Sequence, residues 1–107
     1  MIFGMRMRQF HERYDLLVLP TMPGVAFDVG ILGPRQADGT IDRQWNPFCY
    51  LFNLSKQPAA SLPCGFTKAG LPVGLQIVGP MHKDLAVLQA CAALEPLVSP
   101  GTFPVMP

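Results

Sequence analysis

The uneven placement of charge constrains this chain more than any motif in it. Lys+Arg 8 and Asp+Glu 7 make fifteen charged residues, of which ten fall in the first 43 positions. From residue 44 to 107 there are only Lys56, Lys68, Lys83, Asp84 and Glu95. A small domain standing alone in water coats itself with roughly 25–35% charged side chains. Five charges cannot coat the second half. That half is therefore expected to lie against protein outside this chain, either another subunit or more of the same polypeptide.

Composition narrows the class further. A formal net charge of +1 gives no reason to expect nucleic acid or an anionic membrane as a partner. A hydrophobic content of 50% argues against disorder. No uninterrupted apolar run approaches the ~20 residues of a spanning helix. At the N-terminus, Arg6 and Arg8 follow the apolar residues, the wrong order for a signal peptide. Cys49, Cys64 and Cys91 are odd in number and widely spaced, so buried structural thiols in a reducing, cytoplasmic setting are expected. With His11 and His82 they show no metal-ligand spacing, and neither a metal nor another cofactor is expected.

Phe3, Met7, Phe10 and Tyr14 fall on one helical stripe, which predicts an amphipathic helix over 2–13. Leu16 to Leu19 read as a buried strand closed by Pro20, of the kind found in parallel or mixed sheets. Residues 20–44 are rich in Gly, Pro and Asp and predict a long loop, whose Phe27, Val29, Ile31 and Leu32 imply packing against something. Asn46-Pro47 is a helix-start signal for a short helix that is apolar all round and so expected to be buried on several sides. Ala59 to Leu62, bounded by Pro58 and Pro63, predict a short strand. Gly70 makes a turn, and Leu71 to Gly79 form the second arm of a hairpin, with Gly74 marking a close contact. Asp84 opens a helix stopped by Pro96, and residues 96–107 predict an extended tail. The order is helix, strand, loop, short helix, hairpin, helix. It predicts an α/β arrangement, a mixed β-sheet with flanking helices.

The residues by themselves offer little chemistry. Ser55 and Lys56 are neighbours, and neighbouring side chains point apart. Ser61 lacks the G-x-S-x-G elbow. Cys64 with His82 can be posed as a thiol–imidazole pair, but no spacing supports it. Phosphate-binding Gly-rich loops are missing, and the carboxylates are scattered.

One long pattern does stand out. Asn53 is followed by Pro58, Ala59, Ser61, Pro63 and Gly65, then by Gly70-Leu71-Pro72-Val73-Gly74-Leu75-Gln76 and Gly79, and then by an Asp84-led helix reaching Glu95. This resembles the C-terminal part of the amidase signature family, in register over roughly residues 6–95. The stretch from Tyr14 to Pro23 looks like the family's preceding strand. The resemblance implies hydrolysis of carboxylic amide C–N bonds of small molecules by a Ser–cisSer–Lys triad. It implies that 1–107 is the C-terminal fragment of a single amidase domain, a hairpin plus C-terminal helix, with the triad N-terminal to it. No Ser or Lys here matches the triad, so no residue of this chain is expected to be catalytic. Asn53, Pro58, Ser61, Pro63, Gly65, Gly74, Gln76 and Gly79 are then structural motif residues. Trp45, Phe48 and Tyr50 either wall the acyl pocket or belong to the core. Tetrapeptide Asn53-Leu54-Ser55-Lys56 departs from the Asn-Leu-Ala-Gly of amidotransferase A subunits, which suggests a leaning toward free-standing amidases, and Lys56 in place of Gly is expected to change the loop geometry. The expected partner is the rest of the amidase domain or another subunit. The competing reading is a non-enzymatic module that assembles with a separate catalytic chain.

Overall fold

Residues 2–101 are described by a computed structural model. The elements in chain order are α1 (Ile2–His11), β1 (Leu17–Pro20), α2 (Pro47–Ser55), β2 (Ala59–Phe66), β3 (Pro72–Val78) and α3 (Asp84–Val98). Strand order is β1-β3-β2, and both pairings are antiparallel. The α/β class stands, while the mixed pairing expected of the sheet is not found among these three strands. β3 occupies the centre, which explains why Ile77 and Val78 are fully enclosed.

Two prolines behave differently from expectation, each for a local reason. Pro63 does not end its strand. β2 is an edge strand, and the register slips between Pro63 and Gly65, so Cys64 bulges and the missing N–H costs no ladder bond. Pro96 does not stop α3, which runs on to Val98 and is closed by Ser99 N–H donating to the Glu95 carbonyl at 2.9 Å. A proline in the last turn forfeits one hydrogen bond without ending the turn. The tail expected over 96–107 thus begins in helix, and residues 102–107 lie outside the described ones.

α3 covers one face of the hairpin. Leu62, Ile77, Val87 and Cys91 form the buried cluster, flanked by Leu16, Ala60, Ala90, Leu94 and Val98. On the other side Gln76, itself buried, donates from Nε2 to the Phe48 carbonyl at 3.1 Å and ties the start of α2 to the central strand. Phe52 of α2 is buried and lies 6.4 Å, ring to ring, from Phe3 of α1. α2 is not enclosed on all sides as expected: Tyr50 and Leu54 are half exposed. Asn46 stands at the N-cap without a side-chain cap bond, and Pro47 follows it.

Pro20 belongs to β1, and the loop that follows it carries one internal bridge between Arg35 and Ile41. Its apolar residues are only partly packed: Phe27 meets the Trp45 ring edge-on at 5.0 Å, whereas Val29 is 98% exposed. At the tip, the Thr40 hydroxyl (2.6 Å) and N–H (2.9 Å) both donate to Asp38 Oδ1. These bonds, the hydroxyl first, hold the Asp38 carboxyl below its ordinary range.

The whole is expanded. Its Cα radius of gyration is 15.8 Å. A self-contained domain of this length would have about 13 Å. Leu85, Leu88 and Leu97 lie on an open side of α3 at 67%, 63% and 81% exposure. The charge deficit of the second half therefore coincides with uncovered apolar surface.

Candidate functional site

Two clefts lie at opposite ends of β3. The first, about 390 Å³, sits beyond Val78 and is lined by Met7, Arg8, His11, Glu12, Gln57 and His82 among others. Gln57 organises it. Its Nε2 donates to the Gly79 carbonyl and to His11 Nε2, each at 2.9 Å, and its Oε1 lies 2.7 Å from Ser55 Oγ. His11 Nδ1 then holds the ring proton, donated to the Tyr14 carbonyl at 3.0 Å. Ser55 is buried, with Phe52 O 3.3 Å from its Oγ as a second acceptor. Every polar atom of this triplet is engaged in joining α1, α2 and the sheet. The arrangement fastens helices and leaves neither an exposed hydroxyl nor an unoccupied base.

Lys56, beside it, takes the left-handed conformation at φ 58°. Its N–H donates to the Asn53 carbonyl at 3.3 Å, and the Gln57 N–H to Phe52 at 3.1 Å, the double closure of a helix C-terminus. That left-handed backbone is one that glycine adopts without strain and lysine rarely does. Asn53 itself is exposed on α2.

The second cleft is larger, about 930 Å³, and lies between the 22–27 loop, Trp45 and the Pro72–Gly74 end of the hairpin. Gly74 is glycine for want of space: a Cβ there would come within 2.8 Å of both Ser61 Oγ and Thr21 Oγ1. These hydroxyls, one from the residue that follows β1 and one from β2, meet at 2.6 Å. Thr21 N–H also donates to the Gly74 carbonyl at 3.0 Å. A tie between strands thus fixes the residue from which the cleft-lining loop departs. Gly79 is likewise forced, with Val87 Cγ2 2.5 Å from the position of a Cβ.

Of the aromatic residues singled out in the sequence, Trp45 lines the larger cleft, with its Nε1 donating to the Leu32 carbonyl at 3.1 Å. Phe48 and Tyr50 do not line it: Phe48 is half-buried at the start of α2, and Tyr50 faces outward. Pro58 accepts the Gly79 N–H at 3.0 Å, and Gly65 follows the β2 bulge. Cys64 donates weakly to the Val73 carbonyl at 3.6 Å, near the Gly74 end, while His82 belongs to the cleft at the other end. The strand between them separates the thiol from the imidazole. Only Cys91 is a buried thiol; Cys49 and Cys64 are half-buried. Among the described residues, no three His, Cys, Asp or Glu side chains cluster as a metal site. Sequence reading did not find His11, Gln57 or the Thr21–Ser61 contact. The last joins residues 40 positions apart, and nothing local announces it.

A sequence description of the Amidase family matches residues 3–88, so the chain belongs to the Amidase family. The A subunit of the Moorella thermoacetica glutamyl-tRNA(Gln) amidotransferase is 42% identical over 85 residues, 78% of this chain and 16% of the relative. Its counterpart in Salinispora tropica is 41% identical over 95 residues, 89% of this chain and 18% of the relative. A bacterial aryl acylamidase of the amidase signature enzymes superposes with a TM-score of 0.73 at 38% identity, over 88% of this chain and 20% of that structure. The glutamyl-tRNA(Gln) amidotransferase A subunit from Thermotoga maritima gives a TM-score of 0.75 at 32% identity, over 94% and 22%. The chain thus spans about a fifth of the length of the proteins it matches. The leaning toward free-standing amidases is not borne out, since curated relatives at about 40% identity are amidotransferase A subunits. Among the described residues no helix is long and apolar enough to cross a membrane.

Proposed function

We propose that this chain is the C-terminal segment of an amide-hydrolysing enzyme, cleaving carboxylic C–N bonds in small molecules. It builds one wall of the acyl pocket, and the Ser–cisSer–Lys triad lies in sequence outside it. The observation that carries this reading is a family match over residues 3–88 in a chain that covers only 16–22% of its relatives. The engagement of Ser55 and Ser61 in structural hydrogen bonds supports it, as does the uncovered side of α3. On this reading Trp45 is a pocket wall, while Phe48 and Tyr50 lie outside the cleft it lines.

The partner is the rest of the domain or a separate catalytic chain. A relative named as a subunit keeps the second reading in play, in which the chain is a module without chemistry of its own. Reading the coding frame upstream of Met1 for a Gly/Ser-rich stretch and a Lys separates the two. Function is tested by complementation. The purified chain should leave simple anilides and esters intact. Mixed with the N-terminal portion of the aryl acylamidase, it should restore anilide hydrolysis that neither piece shows alone. A mixture that binds but stays inactive contradicts the proposal.

A further inference from the structure

The larger cleft has an uneven chemistry. Phe27, Trp45, Val25, Pro72 and Val73 supply apolar wall, and among the described residues that line it Asp42 alone is charged. Trp45 spends its N–H on the Leu32 carbonyl, so its ring offers hydrocarbon. Phe27 stands edge-on to it, with an interplanar angle of 76°. Asp42 is fixed at both ends: its N–H donates to the Pro34 carbonyl at 3.0 Å, and its Oδ1 accepts the Gln44 N–H at 2.9 Å. The volume of about 930 Å³ suits a small organic ligand.

We propose that this cleft selects a neutral aryl or branched-alkyl group of an amide substrate and rejects a carboxylate-bearing one, with Asp42 as the excluding charge. The inference rests on the amidase reading above and names its substrate class. Apolar surface entering the cleft is stabilised in proportion to the area it removes from water. A ligand carboxylate entering the same space gives up its hydration and faces the Asp42 side of the wall. A neutral ring meets only the first effect.

The test is isothermal titration calorimetry on the purified full chain with acetanilide and with 4-acetamidobenzoate, which differ by one carboxylate. Acetanilide should bind saturably, and 4-acetamidobenzoate about tenfold more weakly. Asp42→Asn keeps the side-chain oxygen that accepts from Gln44 and should narrow that gap to about threefold or less. Trp45→Ala should weaken both compounds. Circular dichroism of each variant checks that it folds. Equal affinities, no saturable heat from acetanilide, or a gap that Asp42→Asn leaves in place overturns the proposal. Because binding is read without turnover, a failed discrimination beside a successful complementation removes the substrate class alone. Successful discrimination beside a failed complementation supports the cleft and removes the hydrolysis.

Discussion

Gly74 lies within the first half of the central strand and Gly79 just past its end, and each excludes a Cβ, yet their surroundings differ in kind. At Gly79 the obstacle is a Val87 methyl group in the α3 core, and the adjacent cleft is knitted by Gln57 to three elements. At Gly74 the obstacle is a pair of hydroxyls, and the adjacent cleft opens onto an apolar loop with little behind it. One end is stabilised by partners that the chain supplies itself. The other end keeps apolar surface and volume unspent, as a wall does when its ligand and its remaining neighbours lie elsewhere.

That contrast can be broken by substitution. Gly79→Ala should cost about 3 kcal/mol in chemical denaturation, because the helix core cannot yield to a methyl group; a cost below about 1 kcal/mol would make the two ends equivalent. Gln57→Leu should cost about 2 kcal/mol, since it takes the Gln57 donor from the Gly79 carbonyl and leaves the buried Ser55 hydroxyl only its longer bond to the Phe52 carbonyl. Gly74→Ala should cost about 1 kcal/mol, as hydroxyls rotate aside more readily than a packed methyl. It should also shift the emission of Trp45, the only tryptophan and part of the same cleft. Lys56→Gly should stabilise by about 1 kcal/mol by relieving a left-handed lysine.

The smallest effect is at the loop tip. Asp38 has a folded pKa below its ordinary 3.8, so its contribution is present above that value and is lost as pH falls through the folded pKa. Stability curves of the wild type and Asp38→Ala should therefore differ at neutral pH and converge on acidification below that range. A difference that persists in strong acid would contradict the assignment to the Thr40 bonds.

Legibility in the sequence followed the range of the interactions. A helical stripe located α1, and an apolar run, cap, proline and turn signals located the other five elements, because local side-chain pattern sets local structure. The strand and helix ends near Pro63 and Pro96 differ from expectation, since a proline's effect depends on edge position and helix turn. Those are tertiary facts. Asp38-Gly39, a turn dipeptide, is a local signal for the Arg35–Ile41 bridge within the loop. The Gly74 contact was legible, but its partners were not, because Thr21 and Ser61 meet only after both outer strands dock on β3. The Gln57 hub was invisible for the same reason. The place of Trp45 and Asp42 in one cleft depends on which residues the loop gathers there, which no local pattern announces.

The central claim is that these residues hold a reactive centre's wall and not its nucleophile. Intact-mass spectrometry of the purified chain after exposure to a serine-directed fluorophosphonate reads this directly. The account predicts an unmodified mass of 11.7 kDa. A stoichiometric adduct on Ser55, Ser61 or Ser99 would contradict it.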